Sequence, residues 1–564
     1  MDFDYDIVII GAGVAGALTA CQVKTARPQA RILLLDAGNN PVDADQRRQF
    51  ASTYQLSPTK GVPSPYADLP NNKQNLAPSQ DGVGDSVAMN RYYLEAGPDL
   101  YKSGFQRMVG GSTWAWRGNC PRFLPNDFKL NHSYGRGVDW PFDYNELEPF
   151  YVRAEAELGV SGNGAEWASL TPRSADFPMP GIAASYGDER VRAALAGIPP
   201  IDGIPVVPIT TPQARNSQEY QGRSACQGNS SCLPICPSGA KYDAGHHVRR
   251  ARDELDVEVR TSCVVTKLVR RQGAAPTVVF KDWSTTARTE ARVTGRHIVL
   301  ALNAIETPKL WLISGLDNTS DQVGRNLMDH LTEEVVGLLG EPVFPFRGPQ
   351  TTLGIETFRD GPFRKNNGAF RMTIGNDGWG RTEAPEVSLD HLMWNPDTKK
   401  ILKTGSELQQ ALNHRVTRML RFSYSTEQLP NPANRVTLSD ELDALDVPRP
   451  KITYQIDDYS KAALAYGHSV ARRIWQYLEN TAGAEEVDPL QPTLKYKGSG
   501  HLMGTMRMGT EKYNSVVDEF GQSHDHPGVW VVGSSVFPTS GTANPTITLS
   551  ALTLRTADKL AAAL

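Results

Sequence analysis

Two groups of residues in this 564-residue chain are spaced for chemistry. In the first, Gly11, Gly13 and Gly16 stand in G-x-G-x-x-G spacing and Asp36 follows 20 positions after Gly16. In a dinucleotide site the first glycine makes a tight turn and the second lets backbone approach a pyrophosphate. The third lets helix and strand pack closely. The phosphates sit on free N–H groups at a helix N-terminus, where the dipole favours negative charge. Asp36 can then accept hydrogen bonds from an adenosine ribose.

The second group is Cys226, Cys232 and Cys236, in C-x5-C-x3-C spacing among Gly, Asn, Ser and Pro. Such a loop can fold three thiolates around one centre. A disulfide would leave one cysteine over. Zinc would need a fourth ligand, which His246 or His247 could supply. Three thiolates also suit a cuboidal iron–sulfur cluster that lacks one iron. The spacing leaves all three open.

The elements around Gly11 agree with its motif. The apolar run Ile7 to Ile10 meets Gly11, a helix-compatible segment covers Ala17 to Lys24, and a second run, Ile32 to Leu35, ends at Asp36. Residues 39–100 are polar and rich in turn formers, which predicts loops or short helices over the surface. Gly110, Gly111 and Ser112 suggest a second close backbone approach to a ligand. Tyr144 to Leu158 has helical periodicity. Val257 to Val269 and Thr294 to Leu302 read as strands. So do Arg418 to Tyr424, Arg435 to Leu438 and Val529 to Gly533. Ser460 to Ala482 reads as a long helix, and another follows Asn544-Pro545, since proline suits a first helical turn.

The expected fold class is α/β. A Rossmann-like dinucleotide domain would be assembled from residues 1–160, 223–335 and 490–564. A sheet-based substrate domain would take 161–222 and 336–489. The stretch Ser388 to Asp397 interleaves polar groups with Trp394 and could line a site for a hydroxyl-rich ligand or form a strand-edge loop.

The formal net charge is −4, and no basic block points to nucleic acid. No apolar run approaches the ~20 residues that span a bilayer. The chain enters a strand almost at once, so no secretion signal of its own is expected. Six cysteines in this length are not a disulfide scaffold. Cys21, Cys120 and Cys263 stand singly and read as packing residues.

Six stretches, GAGVAG, MVGGSTWAW, NAIETPKLWLIS, VGRNLMDH, GHLMGTMRMG and GTANPTITLSAL, run from start to finish of the chain. In that order they resemble the glucose–methanol–choline (GMC) family of flavoproteins. The resemblance implies FAD, with its isoalloxazine between the two domains, and a catalytic pair at His501 and Asn544. By itself His501 would read as a structural histidine and Asn544 as a helix-start residue. Alcohol oxidation gives both a role. A neutral imidazole accepts the hydroxyl proton, and an amide holds the same oxygen so that the C–H bond faces flavin N5. The resemblance extends the cofactor contacts to Val265, Gly533, Ser534 and Thr546. Some relatives carry a histidine where this chain has Ala115 and attach the flavin there, so non-covalent FAD is expected.

The cysteine stretch, together with LPNDFKL and YGRGVDWPFDYNELEPFY, resembles one branch of the family, the bacterial multi-subunit sugar dehydrogenases. That branch includes catalytic subunits of FAD-dependent glucose dehydrogenase, fructose dehydrogenase and glucoside 3-dehydrogenase. It implies a [3Fe–4S] cluster on Cys226, Cys232 and Cys236 that passes electrons to a cytochrome c acceptor. It also implies a small partner subunit whose twin-arginine signal would carry this chain to the periplasm. The expected activity is oxidation of a sugar hydroxyl, at C1 of glucose or C3 of a glycoside, with fructose or another polyol as alternatives. An oxidase using oxygen, a flavin-dependent lyase and a non-catalytic electron carrier are the competing readings.

Overall fold

The computed structural model describes residues 3–38, 93–228, 232, 236–270, 276–284, 287–376, 392–395, 398–443, 445–486 and 496–564. Most of the 39–100 stretch and part of Ser388 to Asp397 therefore lie outside the described residues.

Strand β1 (Tyr5–Ile10), helix α1 (Val14–Ala26) and strand β2 (Ile32–Leu35) form the opening β-α-β unit. Its strands are near-continuous apolar runs because both faces are covered. Helices α2 (Tyr144–Leu158) and α3 (Gly245–Asp253) follow, with the short strand β3 (Pro208–Thr210) between them. Asp143 caps α2 by accepting the N–H groups of Asn145 and Glu146, which fixes its start. Then come β4 (Glu258–Arg260), β5 (Cys263–Val269), β6 (Thr277–Asp282) and β7 (Glu290–Leu300).

A parallel sheet runs β4-β2-β1-β7, and β12 (Val529–Val531) joins the far side of β7. Strand β7 is long enough to serve twice. Its first residues, Glu290 to Thr294, pair antiparallel with β6, and β6 pairs with β5. From Gly295 onward it lies beside β1. The last helix, α6 (Thr546–Ala562), packs with α1 and α2, so residues from both chain ends close one core.

The second sheet is antiparallel and built mainly from later residues. Helix α4 (Glu306–Ile313) leads toward β8 (Leu331–Leu338), which is followed by β9 (Leu353–Ile355), β10 (Phe370–Gly375) and β11 (Met419–Thr426). The order is β8-β11-β10-β9-β3. Residues alternate across each strand. Val335, Phe370, Met372, Phe422 and Tyr424 face a buried core covered by α5 (Asp458–Ala482). Helix α5 approaches closely at Gly467, where a Cβ would stand 2.5 Å from the Tyr424 ring. The alternate residues of β8, β10 and β11 face the other way, toward the parallel sheet.

At Gly16 a Cβ would lie 1.9 Å from the carbonyl oxygen of Gly11, a backbone atom that cannot swing aside, and 3.1 Å from Ala301 Cβ. Gly16→Ala should therefore cost about 1–3 kcal/mol by overpacking. The check is the urea midpoint of the purified protein, which should fall. An unchanged midpoint would contradict this packing role.

Candidate active site

One cavity of about 390 Å³ lies between the two sheets. Gly11, Gly13, Asp36, Gly110, Gly111, Ser112, Val265, Gly533, Ser534 and Thr546 line it, as do His501 and Asn544. Gly16 stands behind this wall, packed on Gly11. Gly11 has φ +104°, the left-handed region that glycine tolerates. Gly13 has no heavy atom within 4 Å of the place where a Cβ would stand, and a Cβ on Gly111 would come 3.4 Å from Gly13 Cα. The two loops thus present bare backbone to one space at the start of α1, as a pyrophosphate requires.

Asp36 holds this turn as well as facing it. Its carboxylate accepts the Ala12 N–H at 2.7 Å and the Gly38 N–H at 2.7 Å. Burial pushes its pKa up, against these bonds and Arg107. Each oxygen keeps a second lone pair for a ribose hydroxyl. The residues at this end fit a dinucleotide.

At the other end His501 and Asn544 meet, with His501 Nε2 3.1 Å from Asn544 Nδ2. Two neighbours fix their orientation. Arg371 Nη1 donates to Asn544 Oδ1 at 2.8 Å, so the amide turns its NH2 to the imidazole. The guanidinium is itself held by Glu356, 2.8 Å from Nε. His330 Nδ1 lies 2.8 Å from His501 Nδ1. His330 Nε2 lies 3.2 Å from the Ser540 carbonyl and 3.0 Å from that of Gly541. Carbonyls only accept, so His330 Nε2 carries a proton and its Nδ1 is a lone pair. His501 must then donate from Nδ1, which leaves a lone pair on Nε2.

That lone pair accepts the Asn544 amide N–H, and both side chains line the cavity. Burial, His330 and Arg371 together hold the pKa of His501 well below the usual histidine range. The Asn544 side chain bonds Arg371 and His501 rather than capping α6, which follows Pro545 without a side-chain cap.

Asp329 sets the backbone under both histidines. Its Oδ1 accepts the N–H of His330 at 2.7 Å and of His501 at 2.9 Å, and Oδ2 accepts that of Ser499 at 3.0 Å. Burial raises its pKa to about 6 despite these bonds and one from Ser103. Neither Arg371, Asp329 nor His330 was assigned a role from the sequence. His330 had a signal, since it ends the stretch VGRNLMDH.

The second sheet turns a polar face to the same cavity. Cross-strand pairing aligns Thr332 with Ser425 and Arg371, and Glu334 with Ser423 and Thr373. Thr332 Oγ1 contacts Ser425 Oγ at 2.8 Å and Ser499 Oγ at 2.6 Å. Glu334 pairs with Arg421 at 3.1 Å. Such a wall can hydrogen-bond several hydroxyls of one ligand. Trp394 is exposed on a two-stranded hairpin and is not among the residues lining the cavity.

The three spaced cysteines lie outside the cavity lining. Cys232 is buried and accepts from Arg215 Nη1 at 2.7 Å. Buried Lys241 donates to the Cys232 carbonyl at 2.8 Å and to those of Trp114 at 2.8 Å and Trp116 at 2.6 Å. It thereby ties the cysteine loop to the cavity wall. Burial raises the Cys236 thiol, but Ser238, Lys241 and Arg215 outweigh it and leave the pKa below the ordinary value. Arg215 Nε is buried without a hydrogen-bond partner. These donors and cations fit an anionic thiolate-bound group. Among the described residues, however, no set of three or more His, Cys, Asp or Glu side chains is gathered as a metal site. His247 is not available as a fourth ligand, since Tyr242 Oη at 2.8 Å and Glu157 at 3.0 Å occupy its two nitrogens. Cys21, Cys120 and Cys263 are buried and free of disulfides.

Two family models described as GMC oxidoreductase match the chain, over residues 208–332 and 430–553. The chain is 33% identical to the fructose dehydrogenase large subunit of Gluconobacter japonicus, over 98% of this chain and 97% of that protein. It is 29% identical to paromamine 6'-oxidase of Streptomyces fradiae, over 99% of this chain and 91% of that one. Against the gluconate 2-dehydrogenase flavoprotein of Pantoea cypripedii the identity is 23%, over 97% and 92%. The crystal structure of pyridoxine 4-oxidase from Mesorbium loti matches with a TM-score of 0.63 at 18% identity and covers 99% of both chains. That likeness is one of fold.

If His501 is the base, His501→Asn should slow alcohol-driven bleaching of the bound dinucleotide's chromophore by about 10²–10⁴-fold. Asn544→Ala should cost about 10²-fold through lost orientation of the oxygen. Because the His501 pKa lies below the ordinary histidine range, its base form persists through neutral pH. The bleaching rate should stay flat there and through the ordinary histidine range, falling only on acidification well below it. A rate that instead halves near the ordinary histidine pKa would show an unperturbed base.

Proposed function

The chain belongs to the GMC oxidoreductase family, whose members use FAD to oxidise CH–OH groups, and we propose that it is the catalytic subunit of a sugar or glycoside dehydrogenase. The observation that carries this reading is the single cavity that joins the glycine turn, the His501–Asn544 pair and a hydroxyl-rich sheet face. The similarity to a fructose dehydrogenase large subunit supports a sugar substrate. Fructose thereby stands beside C1 of glucose and C3 of a glycoside as a candidate.

In this mechanism the substrate ring lies against Thr332, Thr373, Ser423 and Ser425, which replace the water on its hydroxyls. The reacting hydroxyl would enter between His501 and Asn544 in place of their 3.1 Å contact, donating to His501 Nε2 and accepting from Asn544 Nδ2. Those two bonds fix the C–H bond toward the glycine end of the cavity, and orientation of this kind lowers the barrier. As the proton passes to Nε2, the hydroxyl carbon can release its hydride. When bound, FAD supplies the two-electron acceptor for that hydride. Arg371 keeps the amide turned so that it donates to the developing alkoxide.

Cys226, Cys232 and Cys236 would hold a [3Fe–4S] cluster, supported by their spacing and by the buried cations Arg215 and Lys241. Such a cluster would supply a one-electron relay toward a cytochrome-type acceptor. Relatives named as a large subunit and a flavoprotein support assembly with further subunits. A small partner subunit with a twin-arginine signal, and a periplasmic location through it, complete the proposal. The second reading is an oxidase, favoured by the similarity to paromamine 6'-oxidase.

The test is the visible spectrum of anaerobically purified protein during separate additions of fructose, glucose and an alkyl glucoside, with iron and sulfide assayed on the same sample. Bleaching by one sugar, with iron and sulfide present, is the expected result. No bleaching would overturn the sugar assignment, and absence of iron and sulfide would overturn the cluster. Stoichiometric peroxide in air would favour the oxidase. Acid precipitation should release the flavin, and colour retained in the pellet would contradict non-covalent binding.

A further inference from the structure

We propose that His330 receives the proton that His501 removes from the substrate, so that the two buried imidazoles work as one relay. The inference rests on the alcohol-oxidising reading above and deepens it. His330 lines the same cavity and is paired with His501 on the ring edge away from Asn544. It acts through His501.

The geometry prepares the second transfer. Proton uptake at Nε2 would make His501 an imidazolium next to Asn544, whose oxygen is held by the Arg371 guanidinium at 2.8 Å. Two positive groups would then share one amide in a buried site. The Nδ1 proton of His501 already points at the lone pair of His330 Nδ1, 2.8 Å away. Passing it on moves the charge one ring further from Arg371. On His330 both N–H groups would then be matched. Nε2–H keeps the carbonyls of Ser540 and Gly541, and the new Nδ1–H points back to the lone pair left on His501 Nδ1. Burial and Arg359 oppose a positive charge on His330, while Glu427 favours it, so the charge would rest there only in passing.

The step balances without a further reagent. The substrate O–H bond breaks as His501 Nε2–H forms. The Nδ1–H bond of His501 breaks as the Nδ1–H bond of His330 forms. The hydride leaves the same substrate carbon with its electron pair for the bound flavin, and the C=O bond forms. His501 ends neutral in its other tautomer, and His330 ends protonated.

A purely structural role would need only a fixed acceptor opposite His501 Nδ1. His330→Asn separates the two roles, because a carboxamide oxygen can accept that N–H bond but cannot take the proton. The experiment measures anaerobic flavin bleaching by stopped flow in mixtures of H2O and D2O, using whichever of fructose, glucose or an alkyl glucoside bleaches fastest. The wild-type protein should give a plot that bows downward, the signature of two protons in flight. His330→Asn should give a straight line and a rate lower by about 10²-fold. Retained flavin content would show that the variant is folded. If it does not retain flavin, His330→Gln and the wild-type plot decide.

A straight wild-type plot, or a curved plot in His330→Asn at a rate within a few-fold of wild type, would overturn the relay while leaving the alcohol-oxidising reading intact. A wild-type protein bleached by none of the three sugars would overturn that reading, and the relay with it.

Discussion

A base that takes a proton from an alcohol must keep one lone pair facing the substrate and stay uncharged until the proton arrives. The structure around His501 follows from that constraint. Two backbone carbonyls fix the proton of His330, His330 fixes that of His501, and Arg371 fixes the amide of Asn544. Each member has only one donor–acceptor assignment that satisfies its neighbour. The acid beside the pair, Asp329, spends its oxygens on the backbone N–H groups of His330, His501 and Ser499 and on Ser103, not on either imidazole ring. The ring is therefore oriented without being charged in advance, and burial keeps it neutral.

Such a chain of bonds demands that distant segments be held in register. Met328 and Met503 exchange backbone hydrogen bonds at 3.0 and 3.1 Å, which fastens the loop carrying His501 to the one carrying His330. Gly504 allows the approach, since a Cβ there would stand 2.1 Å from the Asn326 carbonyl. Arg371 comes from the antiparallel sheet and Asn544 from the loop before the last helix. The His501–Asn544 pair thus forms only when both sheets are in place. A long β7, shared between parallel and antiparallel pairing, supplies the rigid partition on one side of the cavity.

The opening β-α-β unit was legible because each of its signals is local: an apolar run, three glycines at fixed offsets, and an acid after the second strand. The helix at Tyr144–Leu158 was legible for a similar reason, since its apolar stripe and its Asp143 cap lie within one window. The polar cavity wall was not. Thr332 and Glu334 alternate with apolar neighbours as any half-exposed strand would. Only the register with β10 and β11 shows that they face a cavity. Arg371 belongs to no motif in the sequence, yet in the fold it is buried and orients an amide from 173 positions further along the chain. His330 closed a recognisable stretch, but its partner lies 171 positions away. Spacing in sequence carries no record of such pairs.

Hydride transfer from a carbon positioned by His501 and Asn544 can be tested at the bond that breaks. The measurement is the anaerobic rate of flavin bleaching by the preferred sugar, compared with the same sugar deuterated at the carbon that bears the reacting hydroxyl. Cleavage of that C–H bond in the site predicts a primary isotope effect, with the deuterated sugar bleaching the flavin several-fold more slowly. Equal rates, or bleaching that depends on deuterium at another carbon, would contradict it.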